Sequence, residues 1–360
     1  MHIARDTAVP PKVLYLPNEG SFDEAGQVGG RAAFTEMARD GTIRELKIYS
    51  FLAEYNARQR NAAESHRELL ELVRGFQPDI IFWQHPYGYP ISQALLDGIR
   101  ACGSAPLLAF HEGDPFDRFY KLMTSEVTTL YRNSDVFFTI GLGAARRLFN
   151  RIRIHPHFYY SPHCFDRERL GSEPPKLETV GSKYDAVMIG RIGSRIRGFY
   201  KQPHSDKRIK LARELRRLFG DRFAVFGEGW PTGTNCAGPI PFSQQAATIQ
   251  TSRMSAIWEL YPDYTYYFSD RLPIAIAAGV PFVTNGRNGY EIVLAGAPSV
   301  FAVDTIEDIL DVATYLRGLP IEEIYSIGAA GREWAFANLE CRVVFRRALE
   351  VCLRVRHAKQ

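Results

Sequence analysis

The sequence predicts an α/β protein made of two Rossmann-like, doubly wound domains that face each other across a cleft. Three observations lead there. Short apolar runs alternate with amphipathic stretches along the whole 360 residues. The alternation breaks once, at the polar, Gly- and Pro-containing run 171–183, and then restarts. Strands separated by helical stretches of roughly 10–18 residues imply βαβ units, so each half should hold a parallel sheet.

In the first half, Lys12–Leu16, Ile43–Tyr49, Asp79–Trp83, Pro106–Phe110 and Asp135–Ile140 are short apolar runs and read as strands. Between them, Gly30–Arg39, Arg58–Phe76, Ile91–Cys102, Phe119–Arg132 and Ala144–Asn150 read as helices. Residues 1–170 are expected to form the N-terminal domain and 171–183 the linker. Beyond it, "YDAVMIG" is a strand, 204–219 a basic helix, "RFAVFG" a strand and "SAIWELYP" another. A helix over Ser269–Ala278, strands at "PFVTN" and "SVFAV", and a nearly all-helical end from Ile321 to Arg356 complete a second domain, 184–338. Residues 339–360 form a terminal helix that can cross back to the first domain. Ligands of such sheets bind where loops converge at the carboxyl ends of the strands.

Composition excludes several classes. A net charge of +4 is too small for a dedicated nucleic-acid binder, so no nucleic-acid partner is expected, but it suits an anionic small ligand. Five cysteines without a CxxC pair read as reduced thiols, consistent with a cytoplasmic protein. Neither a signal peptide nor a membrane-spanning run is visible. The first strand is followed by "PNEGSFDEAGQVGG" and not GxGxxG, which argues against a dinucleotide oxidoreductase.

Three pieces carry chemistry. In "FSDRLPIAIAAGVPFVT", Ser269 or Asp270 can cap a helix whose free N–H groups suit an anion, and Arg271 adds a guanidinium. A plain capped helix fits the same letters. In "VMIGRIGSRIRGFYK", a strand runs into Arg191, Gly193, Ser194, Arg195, Arg197 and Lys201, a glycine-containing basic loop suited to a diphosphate or simply solvated. In "TNGRNGYEIV", Gly286 and Gly289 precede Glu291, which can accept from sugar or ribose hydroxyls, or sit in a first helical turn for dipole reasons.

In this order the pieces resemble the donor domain of GT-B glycosyltransferases, of the CgeB-like and "glycosyl transferases group 1" kind. "MIGRIGSR" resembles the loop at the donor diphosphate, "SDRLPIAIAAGVPFVT" the family's "xxRxxEAxAxGxPVVT", and "NGRNGYEIV" its "GGxxEIV". "SPHCFDRERL" resembles the segment leading into the second domain, and the helices after Asp304 the closing helices. The first half fits through "PDIIFWQHPYGY", "PLLAFHEGDP" and "SDVFFTIG". One departure stands out. The acid that contacts ribose in many members is Ile274 here, and its partner acid is Tyr266.

The resemblance implies a transferase of EC 2.4 type that moves a hexosyl or related group from a nucleotide-diphosphate sugar to a glycan, lipid-linked or protein hydroxyl. No cofactor beyond that co-substrate is expected. Without a DxD at a strand end no obligatory metal is expected, so Arg191, Gly193, Ser194, Arg197, Lys201, Ser269, Asp270 and Arg271 would hold the diphosphate. Gly286, Gly289 and Glu291 would face the donor sugar or ribose. Asp114 is the first candidate for the general base, followed by His111 and Glu112. Gly20, His85 and Tyr87 would line the acceptor side. The basic stretch 145–160 could touch an anionic bilayer peripherally. A degenerate, non-catalytic binding protein is the main alternative, and a nucleotide-sugar epimerase a further one.

Overall fold

The computed structural model describes residues 9–21, 26–171, 173–193 and 199–359. Its first sheet has six strands: β1 (Lys12–Leu16), β2 (Glu45–Ile48), β3 (Ile80–Gln84), β4 (Leu107–Glu112), β5 (Val136–Thr139) and β6 (Phe158–Tyr160). They lie in the order β2-β1-β3-β4-β5-β6. The second sheet has β7 (Tyr184–Ile189), β8 (Phe223–Phe226), β9 (Ser252–Ile257), β10 (Phe282–Asn285) and β11 (Val300–Val303), in the order β11-β10-β9-β7-β8. Every recorded strand pair is parallel. Both sheets therefore reverse direction beside their first strand. Crevices open there, at the carboxyl ends of β1/β3 and of β7/β9.

The strands are buried on both faces, as crossover helices require. β4 shows the consequence. Leu108 and Phe110 point into one core layer, and Leu107 and Ala109 into the other. The second layer is completed from the far end of the chain. The helix Cys341–His357 lays Cys341, Phe345, Ala348, Leu349, Cys352 and Val355 on the first domain. Phe345 rests 5.8 Å from Phe34, 5.9 Å from Phe82 and 5.6 Å from His111, centroid to centroid. Arg342 pairs with Glu36, Arg346 with Asp40, and Arg356 with Asp79 around the rim.

A second contact joins the domains. The segment 258–268 leaves β9 and reaches the loop after β5. The Tyr264 hydroxyl donates to the Phe116 carbonyl (2.7 Å) and accepts from the Phe116 N–H (2.9 Å). Leu142 and Ala144 donate backbone N–H groups to Thr265 and Asp263. A side chain at Gly143 would meet the Asp263 carbonyl at 2.8 Å, so the close approach needs glycine there.

Several expected elements shift. The strand expected over "SAIWELYP" ends at Ile257, because Tyr261 and Tyr266 adopt φ of +57° and +69° and turn the chain out of the sheet. The helix expected over Arg58–Phe76 starts at Ala62, because Gln59 and Arg60 take positive φ, and a separate helix, Phe51–Ala57, precedes it unexpectedly. Phe119–Arg132 shortens to Ser125–Asn133, since Asp117 accepts from the N–H groups of Phe119, Tyr120 and Lys121 and holds them in a turn. The helix Phe242–Gln250 and the edge strand β6 were not expected. The stretch 145–160 directs Phe149 into the core and leaves Arg146, Arg147, Arg151 and Arg153 exposed, so its largest apolar side chain does not face outward.

Phe345→Ala is expected to destabilise the protein by about 3–5 kcal/mol, the usual range for emptying a buried aromatic site. Thermal unfolding checks this, and an unchanged midpoint would mean that the terminal helix is not docked as described.

Candidate active site in the interdomain cleft

A cavity of 790 Å³ lies between the domains. Asn18, Gln84, His85, His111 and Asp114 line it from the first domain, and Phe242, Asp270 and Ile274 from the second. His163, Cys164 and Asp166 of the crossing segment and Phe345 of the terminal helix close it.

The register of β3 and β4 builds the first wall. Gln84 pairs with His111, which sets His85 beside Glu112, and the His85 N–H donates to the His111 carbonyl. His85 Nδ1 lies 2.6 Å from Glu112 Oε1, and its Nε2 lies 3.3 Å from Asp114 Oδ2. Lys121 caps the group, with Nζ 2.5 Å from Asp114 Oδ2. Ligand-type atoms of His85, Glu112 and Asp114 all fall within 4.8 Å of one another, close enough for a cation. The Lys121 ammonium supplies one there.

Burial divides these groups. Glu112 is fully buried, which pushes its carboxyl up against the lowering effect of His85, and its Oε2 has no hydrogen-bond partner among the described residues. For Asp114 burial also pushes up, but Lys121 and then His85 outweigh it and hold the carboxyl below its usual range. Burial alone would lower His85, yet Glu112 and then Asp114 raise it above its ordinary 6.5. Burial takes His111 down to about 3, and its Nε2 lies 3.1 Å from the Ser161 hydroxyl. His111 is therefore neutral in the cleft.

The second wall differs from expectation. Ser269 does not present donors to an anion. Its N–H and hydroxyl both donate to Glu259 Oε1, at 3.1 and 2.8 Å, and it is buried. Glu259, fully buried just beyond β9, is an acid missed in the sequence because it was read as part of a strand. The N–H of Gly193 donates to the Gln202 side chain, and a Cβ there would lie 1.8 Å from the Tyr120 hydroxyl oxygen. This glycine serves the approach of Tyr120. Lys201 pairs with Asp206. Ser194, Arg195 and Arg197 lie outside the described residues. Arg191 is exposed just beyond β7. Arg271 pairs with Asp270 at 2.5 Å, and Asp270 first, then Glu259, raise its pKa against burial.

The main cation that sequence reasoning missed is Arg208. It is buried under the β7/β9 crevice, donating to the carbonyls of Trp258 and Arg191. Burial lowers it to about 10, still charged at neutral pH. Its signal was present: Arg208 occupies the apolar stripe of its helix with Leu211, Ala212, Leu215 and Phe219. His163 was quoted only for its resemblance. Burial lowers its pKa against Asp270 and then Asp114, the carboxylates on either wall.

Gly286, Gly289 and Glu291 do not line the cleft cavity. They surround a second cavity of 920 Å³ with His204, Trp258 and Arg287, and the Glu291 carboxylate accepts from its own Gly289 N–H. Tyr87 is 60% exposed and stacks parallel on His85, with centroids 5.9 Å apart. The Gly20 carbonyl accepts from Asn56. No helix among the described residues is long and apolar enough to cross a membrane.

Ser269→Ala is expected to cost about 1–3 kcal/mol by leaving Glu259 buried with fewer partners. Loss of nucleotide affinity at unchanged stability would instead assign the hydroxyl to a phosphate.

Comparisons with known proteins agree with this architecture. Residues 207–350 match the family model described as glycosyl transferase-like. No curated protein matches the chain in sequence. An alpha-glucosyltransferase solved with UDP and a 13-mer DNA superposes with a TM-score of 0.59 at 10% identity, over 95% of this chain and 99% of that one. The Anabaena protein HepE, solved with UDP and glucose, gives 0.55 at 11% identity, over 94% and 98%. Sucrose-phosphate synthase from Thermosynechococcus elongatus gives 0.57 at 10% identity, over 96% and 99%. The chain has the GT-B fold, and residues 207–350 of its second half are similar to the glycosyl transferase-like family.

Proposed function

We propose that this protein transfers a glycosyl group from a nucleoside diphosphate sugar to a hydroxyl of a glycan, lipid-linked or protein acceptor, without an obligatory metal. One observation carries the reading. The cleft cavity is lined on one side by an imidazole–carboxylate wall and on the other by Asp270, and Arg271 pairs with that Asp270, so a cation stands beside the cavity where group transfer needs one. Negative charge develops on the leaving diphosphate, and fixed cations in a water-poor site stabilise it. Arg271 and Arg191 are the diphosphate ligands of the proposal, with the buried Arg208 behind them. His111, held neutral, can donate to or accept from a sugar hydroxyl, and the Asp270 carboxylate can accept from one. Support for a uridine nucleotide comes from the neighbours solved with UDP.

A second reading has its own support. Ile274 lines the cavity where many relatives by resemblance carry an acid, and the Ser269 donors are engaged. Both fit a chain that binds a nucleotide sugar without turning it over.

Thermal shift with UDP, GDP, CDP, dTDP and ADP, with and without EDTA, tests the proposal. One nucleotide should stabilise the protein, indifferently to EDTA, and Arg271→Ala should weaken its binding by about 10-fold or more, the scale of a lost charge-assisted hydrogen bond. No shift with any nucleotide would overturn the donor site, and release of the shift by EDTA would overturn metal independence.

A further inference from the structure

Two of the five cysteines stand together where the chain crosses between the domains. Cys164 lies on the segment that follows β6, and Cys341 opens the terminal helix that returns to the first domain. They are 177 residues apart in sequence, yet their Sγ atoms lie 3.1 Å apart. Cys102 and Cys236 instead donate to the carbonyls of Gly98 and Gly227. Backbone contacts bring the pair together. The Phe165 N–H donates to the Leu339 carbonyl at 3.1 Å, and the Cys341 N–H to the Phe165 carbonyl at 3.2 Å, so the two crossing segments meet in a parallel β-bridge at Phe165 and Glu340. Gly29 clears the space beside them. A Cβ there would lie 2.6 Å from Cys341 Sγ and 2.1 Å from Asp166 Oδ1.

The two thiols differ in setting. Both line the interdomain cavity, but Cys341 is buried and Cys164 only partly so. The Cys341 thiol donates to Asp166 Oδ1 at 3.1 Å. Its contact with Cys164 and then burial hold the Cys341 thiol well above its usual range. Cys164 is therefore the sulfur that a small oxidant entering the cavity meets first, and Cys341 is the partner waiting behind it. A disulfide holds its sulfurs about 2.05 Å apart, so closing a further ~1 Å completes the bond.

We propose that Cys164 and Cys341 are an oxidation site, joined in a reversible disulfide when a peroxide reaches the cavity, and that this bond staples the two crossing segments together. The Cys164 sulfur gives its proton to solvent and attacks one peroxide oxygen. The O–O bond breaks, a sulfenic acid forms on Cys164, and the departing hydroxide takes up a proton as the first water. Cys341 then gives its proton to Asp166 and attacks the Cys164 sulfur. The S–O bond breaks, and the hydroxide leaves with the proton from Asp166 as the second water. The two thiols together lose two electrons, and the peroxide is reduced to two waters. An external dithiol reverses the bond by exchange. The staple fixes the first turn of the helix whose Phe345 packs 5.6 Å from His111, so it holds the cavity wall as well as the chain crossing. This inference does not rest on the transferase reading.

The test treats the full chain with hydrogen peroxide, blocks the remaining thiols, and digests it with trypsin without reductant. Peptides 154–167 and 333–342 should appear as one cross-linked species in the mass spectrum, and dithiothreitol should separate them. The thermal midpoint of the oxidised protein should rise by about 5 °C, because cross-linking so long a loop restricts the unfolded chain. C164S should show neither the cross-link nor the rise. A free Cys341 peptide beside a Cys164 peptide carrying sulfinic acid would overturn the proposal, and so would a bond from either residue to Cys102, Cys236 or Cys352. An unmoved midpoint in the cross-linked protein would overturn the staple. Should C164S not fold, the wild-type peptide map and its reversal by dithiothreitol decide the matter. None of these readouts involves nucleotide binding, so failure of the donor site would leave them standing.

Discussion

The docking of the last helix on the first domain governs what the cleft contains. Residues 341–357 follow the second domain in sequence, yet their apolar stripe completes the core layer under β1, β3 and β4. That packing buries apolar surface which neither domain covers alone, and burial of this kind is the dominant favourable term in holding folded parts together. It also sets Phe345 and Cys341 at the cavity and against His111, so the geometry of the wall follows from the helix position. The 258–268 segment makes the second fastening, through Tyr264 and the backbone at Gly143. Between these two attachments, the carboxyl edges of two parallel sheets are held facing each other.

Burial then determines the chemistry. A titratable group in such a cleft takes its protonation from a few neighbours because solvent is largely excluded. His111 and His163 are pushed toward neutrality by burial, while His85 goes the other way because Glu112 and Asp114 flank it. On the far side Arg208 keeps its charge while donating to two carbonyls, so the cation sits beneath the crevice and not in solvent. Glu259 stands behind Ser269 and accepts the two donors that an anion there would need, so the turn before the Arg271–Ala277 helix is tied to the protein itself.

Much of the architecture was legible because parallel strands buried on both faces leave apolar runs that composition alone reveals. "KVLYL", "IIFWQ" and "PFVTN" need no partner to be read. The acceptor-side wall was half legible. His85, His111, Glu112 and Asp114 all stand at strand ends, where chemistry gathers, but only the pairing of Gln84 with His111 shows that His85 and Glu112 touch. The donor side was the least legible. Gly193, Lys201 and Ser269 have the right letters, but Gln202, Asp206 and Glu259 engage them, and those partners lie 9, 5 and 10 residues away. Arg208 was hidden among the basic residues of its helix, and only its place on the apolar stripe marks it. Glu291 was assigned to the sugar from a glycine-rich context, but Gly289 turns it onto a different cavity.

The most direct measurement is a crystal structure of the protein with its best-binding nucleoside diphosphate. The account predicts the diphosphate in the 790 Å³ interdomain cavity, contacted by Arg271 or Arg191 and within reach of the His85 wall through the space left for the sugar. A diphosphate held instead beside Arg287 and His204 in the 920 Å³ cavity would contradict it, because the imidazole–carboxylate wall would then face no donor.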